Sequence, residues 1–277
     1  MGQKIPVTQS FQLPDGQEVI IETGKLAAQA DGSVVIRIGN TMLFASVCSA
    51  SEAREGQSFF PLSVDYQEKF AAAGKIPGNF FRREARLSSY EILTSRLVDR
   101  AIRPLFPDGY MNETQVIINL ISGEEDVLPD ALAALATSAA LTVSDIPFSG
   151  PISEVRVARV NGEFKVNPSR TETEEADMEF IVAASMDDVM MVEGEAKECQ
   201  EGDLVEAIRV AHEAIKVQCQ AQLDLAEKVG GRALTVRELE EQEEDEALQA
   251  KVEAFTGEKI SKIAGDYWNM EKIEINR

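Results

Sequence analysis

The hydrophobic pattern of this chain becomes helical throughout after about Gly194, and that change limits the folds open to it. Before it, short runs rich in Val and Ile alternate with turn residues. Residues 17–22 and 33–37 are separated by Gly24 and Asp31-Gly32, and residues 42–47 follow Gly39-Asn40. This is the spacing of an antiparallel meander. Residues 59–66, 115–121, 178–183 and 189–192 read as further strands, and 155–160 with 163–166, across Asn161-Gly162, as a β-hairpin. Two helices interrupt the strands. In the first, Ile92, Leu93, Leu97, Val98 and Ile102 recur at helical spacing between a cap at Ser88 or Ser89, with Glu91, and a stop at Pro104. The second is the Ala- and Leu-rich stretch 130–143, with Asp130 as its expected cap. Past Gly194, Leu204, Ile208, Ala211, Ile215 and Leu223 suit one long amphipathic helix capped by Asp203. After Gly230-Gly231 comes an acidic segment with Leu248, Val252 and Phe255 behind its carboxylates, which reads as a separate helical element. The expected class is α+β: a mixed sheet with packed helices over residues 1–230, then a small all-α element over 231–277. A length of 277 residues suits two such domains.

Charge narrows the partners. The formal net charge is −21, which argues against nucleic acid until its distribution is considered. Between Lys69 and Arg103 eight basic residues face three acidic ones, a local +5 that leaves −26 elsewhere. Such an arrangement steers a polyanion to one segment. The opening Met1 to Pro6 has no apolar core of signal-peptide length, and no later stretch approaches the roughly 18 apolar residues that span a bilayer, so a cytoplasmic protein with no membrane partner is expected. Cys48, Cys199 and Cys219 are odd in number and far apart, which supports neither disulfides nor zinc. The single histidine, His212, excludes Ser-His-Asp, Cys-His and multi-histidine metal sites by count, and reads as a packing residue. The usual Gly-rich nucleotide cradles are missing as well.

The segment that carries chemistry is Phe80-Phe81-Arg82-Arg83-Glu84. Two aromatic rings give faces on which bases stack, each worth about 1–3 kcal/mol, and two guanidinium groups give forked donors for phosphate. Taken alone, the same residues suit core aromatics beside solvated arginines equally well. Downstream, Arg96, Arg100 and Arg103 fall four and three residues apart, on one face of the expected helix, where they can form a continuous basic stripe. Glu91 and Asp99 can instead pair with them.

Context separates these readings. The stretch from Phe59-Phe60-Pro61-Leu62 through Tyr66-Gln67-Glu68 and Gly74-Lys75-Ile76-Pro77-Gly78-Asn79-Phe80-Phe81-Arg82-Arg83-Glu84 to Arg96-Leu97-Val98-Asp99-Arg100-Ala101-Ile102-Arg103-Pro104 resembles the first core domain of the bacterial polynucleotide phosphorylase family. The likeness continues through Ile146-Pro147-Phe148-Ser149-Gly150-Pro151-Ile152 and Met191-Val192-Glu193-Gly194-Glu195-Ala196, over roughly residues 10 to 230. It implies an RNase PH-like mixed sheet in residues 1–230 and the start of a helical linker in 231–277. A second core, a KH domain and an OB-fold domain would lie outside this chain.

The resemblance further implies a ring-shaped homotrimer around single-stranded RNA, with possible degradosome partners. Such an enzyme degrades mRNA from the 3′ end with inorganic phosphate, reversibly, assisted by magnesium or manganese. Phe80, Phe81, Arg82 and Arg83 match the family's channel constriction residue for residue. Arg96, Arg100 and Arg103 would face either RNA or the neighbouring core. The catalytic site belongs to the second core, so no catalytic or metal-binding residue is expected here. Where an active core has its phosphate loop, this chain has Leu128-Pro129-Asp130-Ala131, in which Asp130 repels phosphate and Pro129 lacks a donor. Of the metal-binding pair and lysine only Asp177 remains, as a vestige, with Thr171 and Ile181 in the other places. The alternative is a non-enzymatic RNase PH-like scaffold or RNA-binding subunit whose acidic tail meets a partner. The chain stops at Arg277 without a finishing element, which points to a longer protein.

Overall fold

The structure, a computed structural model, describes residues 6–74, 76, 87–230, 235–238 and 246–269. It divides into two units, Met1–Glu238 and Leu239–Arg277. Within the second unit the described element is one helix, Glu246–Asn269 (α5).

The first unit is α+β and builds two sheets among the described residues. Strand β1 (Val7–Gln12) pairs at the edge of β2 (Glu18–Thr23), which with β3 (Gly32–Ile38) and β4 (Thr41–Ser49) forms the antiparallel meander that the turn spacing implied. β5 (Leu62–Glu68) and β6 (Thr114–Ser122) complete this sheet, in the order β1-β2-β3-β4-β6-β5. β5 and β6 run parallel, which demands a long crossover, and helix α1 (Ser89–Ile102) lies within it. After helix α2 (Asp130–Thr142) the second sheet begins, with β7 (Ser153–Val160), β8 (Glu163–Val166), β9 (Met178–Ala184) and β10 (Val189–Ala196) in the order β10-β9-β7-β8. A short helix α3 (Arg170–Glu174) precedes β9, and the long α4 (Glu201–Val229) follows β10.

Helix α2 positions everything else. Every residue from Asp130 to Leu141 is buried, because α2 packs on β3 and β4 of the first sheet and on β7 of the second. Its alanines bring the backbones close. A Cβ at Gly32 of β3 would lie 2.0 Å from the carbonyl oxygen of Ala140, so glycine is required there. The other face of the second sheet packs Val155, Val157 and Val182 under Ala207, Ala211, Ile215 and Cys219 of α4. Burial pushes the Cys219 thiol up to about 12, in keeping with an inert core residue. His212 likewise serves structure, its Nε2 lying 3.1 Å from the Ser185 carbonyl oxygen.

Sequence and structure differ at element ends for physical reasons. Asp130 is the first residue of α2 and Pro129 its cap, since the Asp130 carboxylate is drawn to an arginine. Gln200, not Asp203, caps α4, and Asp203 is the third residue in. Of the two serines offered for α1, Ser88 is the cap. β1 and α3 went unread: β1 is an edge strand whose burial alternates between partial and none, and α3 spans 5 residues. Residues 235–238 belong to the first unit, where Arg237 bridges Asp31 and Asp145 at 2.9 and 3.0 Å and donates to the Ser49 carbonyl.

Candidate functional site

Phe80, Phe81, Arg82 and Arg83 lie outside the described residues. Their flanks do not. β5 ends at Glu68 and α1 begins after Ser88, with a capping box in which the Ser88 hydroxyl accepts from Glu91 N–H and the Glu91 carboxylate accepts from Ser88 N–H. On α1 the three arginines meet different surroundings. Arg96 is exposed. Arg100 is half exposed and ion-pairs with Glu193 of β10. Arg103 grips Asp99 with both ends of its fork, at 2.6 and 3.1 Å, and donates to the carbonyls of Phe60 and Leu62. It also lies 5.7 Å above the Phe60 ring, so it ties the end of α1 to the start of β5. Asp99 therefore takes the pairing role open to it, whereas Glu91 turns away to the backbone.

At the N-terminus of α2 a second group of charges assembles. Arg156 projects from β7 toward α2 and pairs with Asp130 on one side and Glu179 of β9 on the other. The side chains of Arg156 and Asp130 are 12% and 3% exposed, so this is a buried pair. Two residues back on the same strand face, Glu154 is 1% exposed, and neither of its carboxyl oxygens finds a hydrogen-bond partner among the described residues. Burial holds this carboxyl well above the usual range; nearby Asp130 adds to the shift, and Arg156 opposes it. Burial also raises the Tyr90 hydroxyl, which is unpartnered among the described residues. A cavity of about 320 Å³ runs between Tyr90, Leu97, Asp130, Arg156, Glu179 and Glu193.

The positions compared with a metal site do not converge. Asp177 is held by Arg159 at 2.8 and 3.0 Å, bonds that lower its carboxyl, and Arg159 also pairs with Asp203 at 2.7 Å. Thr171, on α3, bonds Asp126 at 2.9 Å. Ile181 is packed in the core. With Asp130, Asp177 and Glu179 each committed to an arginine, these residues do not fit a divalent cation, and no cluster of three His, Cys, Asp or Glu among the described residues suits one. A wider groove of about 960 Å³, between the β1–β2 turn, β8 and α4, has Lys165 and Glu172 paired in its wall at 2.5 Å.

Sequence reading missed the pairing of Arg156 and the burial of Glu154. Their signal was Ser153-Glu154-Val155-Arg156-Val157, an alternation that ordinarily marks a sheet face open to water. Here α2 covers that face, and the charges had to pair or lose their charge.

Comparison with known proteins adds two findings. Residues 15–147 match the 3′ exoribonuclease family, domain 1, and residues 150–214 match domain 2 of the same family. The polyribonucleotide nucleotidyltransferase of Bacteroides fragilis is 55% identical over 259 residues, which make up 94% of this chain and 36% of that protein. Those of Porphyromonas gingivalis and Cytophaga hutchinsonii are 57% and 59% identical over 246 and 224 residues, or 89% and 81% of this chain and 33% and 31% of theirs. The chain thus spans about a third of the length of the curated relatives it matches.

Proposed function

Because the chain belongs to the 3′ exoribonuclease family, we propose that it is the N-terminal part of a 3′-to-5′ phosphorolytic exoribonuclease. Residues 1–230 act as a first core and 231–277 as the start of a helical linker. The whole enzyme is a polyribonucleotide nucleotidyltransferase of the cytoplasm, a homotrimer that degrades mRNA, with degradosome partners possible. An oxygen of inorganic phosphate attacks the terminal phosphodiester, the 3′ oxygen of the preceding nucleotide leaves, and a nucleoside diphosphate is released. Magnesium or manganese acts in a second core beyond this chain.

In this division of labour the present core guides RNA and builds the ring. Phe80, Phe81, Arg82 and Arg83 line the RNA path, and Arg96, Arg100 and Arg103 extend it or meet the neighbouring core. The observation that most supports a vestigial site is the charge group at α2. A helix N-terminus is a natural place for phosphate. Here Asp130 puts a carboxylate in that place, Pro129 removes one donor, and the Arg156 fork is already filled by Asp130 and Glu179.

The test uses the 277-residue chain with a labelled single-stranded RNA of about 12 nucleotides, in which log affinity falls with log salt by roughly 0.7 per phosphate neutralised. With phosphate and magnesium the chain is expected to release no nucleoside diphosphate, while binding RNA in a salt-dependent way. Arg82→Ala/Arg83→Ala is expected to lose about tenfold or more in affinity and to flatten the salt slope by roughly 1.4, the share of two phosphate contacts. Diphosphate release by this chain alone would sink the vestigial reading. Equal binding by parent and variant would sink the RNA-path reading.

A further inference from the structure

The groove of about 960 Å³ between the β1–β2 turn, β8 and α4 takes no part in the function proposed above. Its floor is apolar. Leu13, Ile38 and Leu132 are buried beneath it, and Phe164 of β8 lines one wall. The facing wall is one side of α4, where Val210, Ala214 and Val217 fall four and three residues apart. Val217 is 48% exposed, a large apolar side chain left open to water on a helix whose other side already packs on the second sheet.

The rim has the opposite character. Asp15, Glu124, Asp126, Glu172 and Glu213 stand there with two cations, Lys165 and Arg209, so five acids and two bases leave a local charge of −3. Both cations are already held by carboxylates, Lys165 by Glu172 at 2.5 Å and Arg209 by Glu206 at 2.6 and 2.8 Å. Hydrogen bonds from Thr171, Lys165 and Lys216 keep the Asp126, Glu172 and Glu213 carboxyls below the usual range, so the rim stays ionised at neutral pH. An apolar floor of this size takes several side chains of one ligand. The acidic rim repels RNA or any other polyanion and attracts a cation.

We propose that this groove docks an amphipathic helix of a partner protein, with apolar side chains on the floor and lysines or arginines against the rim. A helix enters such a groove through anchors at i, i+3, i+4 and i+7. Charge complementarity selects this occupant, because a second copy of the chain, at a net charge of −21, would be repelled by the same rim. Docking of this kind is independent of RNA binding.

The probe is a fluorescent helical peptide of about 14 residues, leucines on one face and lysines on the other, titrated by anisotropy into the 277-residue chain across a salt series. Val217→Lys places a like charge on the groove wall. Asp15→Asn/Glu213→Gln neutralises the rim and keeps its shape. Glu52→Gln/Glu55→Gln removes the same amount of charge at residues that do not line the groove. All five positions are exposed, so each variant is expected to melt like the parent.

One peptide is expected to bind per chain. Val217→Lys is expected to weaken binding about tenfold or more, the effect of losing an anchor at the centre of an interface. The rim variant is expected to weaken it about threefold and to flatten its salt dependence, and the remote variant to bind like the parent. No binding by the parent overturns the docking site. Equal weakening by the rim and remote variants overturns it too, since binding would then follow net charge alone, as does equally tight binding of a peptide with alanine in place of leucine. Self-association of the parent that Val217→Lys abolishes would give the groove to a second copy. Failure of the full-length enzyme to take a peptide that this chain binds would give it to a segment beyond Arg277, and either result overturns the proposal.

Discussion

Replacing Arg156 with Met is expected to destabilise the first unit by about 3–5 kcal/mol near neutral pH, the cost of stranding a buried charge whose partner has been removed. Arg156 stands between Asp130, whose side chain is 3% exposed, and Glu179, at 26%. Glu179 can turn toward water. Asp130 cannot, because it is fixed at the first turn of a helix that is buried along its whole length. The measurement is urea unfolding of the parent, Arg156→Met and Arg156→Met/Asp130→Asn. The double variant should recover most of the loss, since a neutral amide leaves no stranded charge there. A single-variant loss below about 1 kcal/mol, the level of a surface pair, would mean that water reaches this group and that α2 presents no closed charge system.

Glu154→Gln is expected to act in the opposite direction and to depend on pH. The parent carboxyl is raised in the folded state, chiefly by burial, so between the unfolded value near 4.3 and the raised folded value the native chain binds more protons than the unfolded one. Stability therefore falls as pH rises through that window, by up to about 1.4 kcal/mol per unit. Glutamine does not titrate. Near pH 8 the variant should thus be more stable than the parent, and near pH 3, where the parent is almost wholly neutral in both states, the advantage should vanish. The difference between the two stability curves isolates this group, because every other titrating residue is shared. Parallel curves from about pH 4 to pH 8 would show that Glu154 has the same proton affinity folded and unfolded.

These two residues mark where sequence reading stops. The strands were legible because turn residues such as Asp31-Gly32, Gly39-Asn40 and Asn161-Gly162 punctuate Val- and Ile-rich runs, and each marks an observed reversal of the chain. The start of α1 was legible from Ser88 and Glu91, which satisfy each other locally. Glu154 and Arg156 were not legible, since their burial depends on α2, more than a dozen residues upstream, lying across β7. The stripe of Arg96, Arg100 and Arg103 was legible as spacing, but not as environment. Asp99 was readable as a partner at helical spacing, but Glu193 approaches from β10, and Arg103 turns inward to the carbonyls of Phe60 and Leu62. The bond from Glu68 to Glu91 spans 23 residues and leaves no periodic trace.

The placement of α5 has a spectroscopic consequence. The chain has one tryptophan, Trp268, and it belongs with Tyr267 to that helix in the second unit, whereas Tyr66, Tyr90 and Tyr110 belong to the first. Neither sheet contains a tryptophan, so indole emission has its source in the helix. A denaturation curve followed at that wavelength takes its signal from a residue beyond Glu238. The melting of the sheets has to be followed through tyrosine in a Tyr267→Phe variant, so that the remaining tyrosines all belong to the first unit.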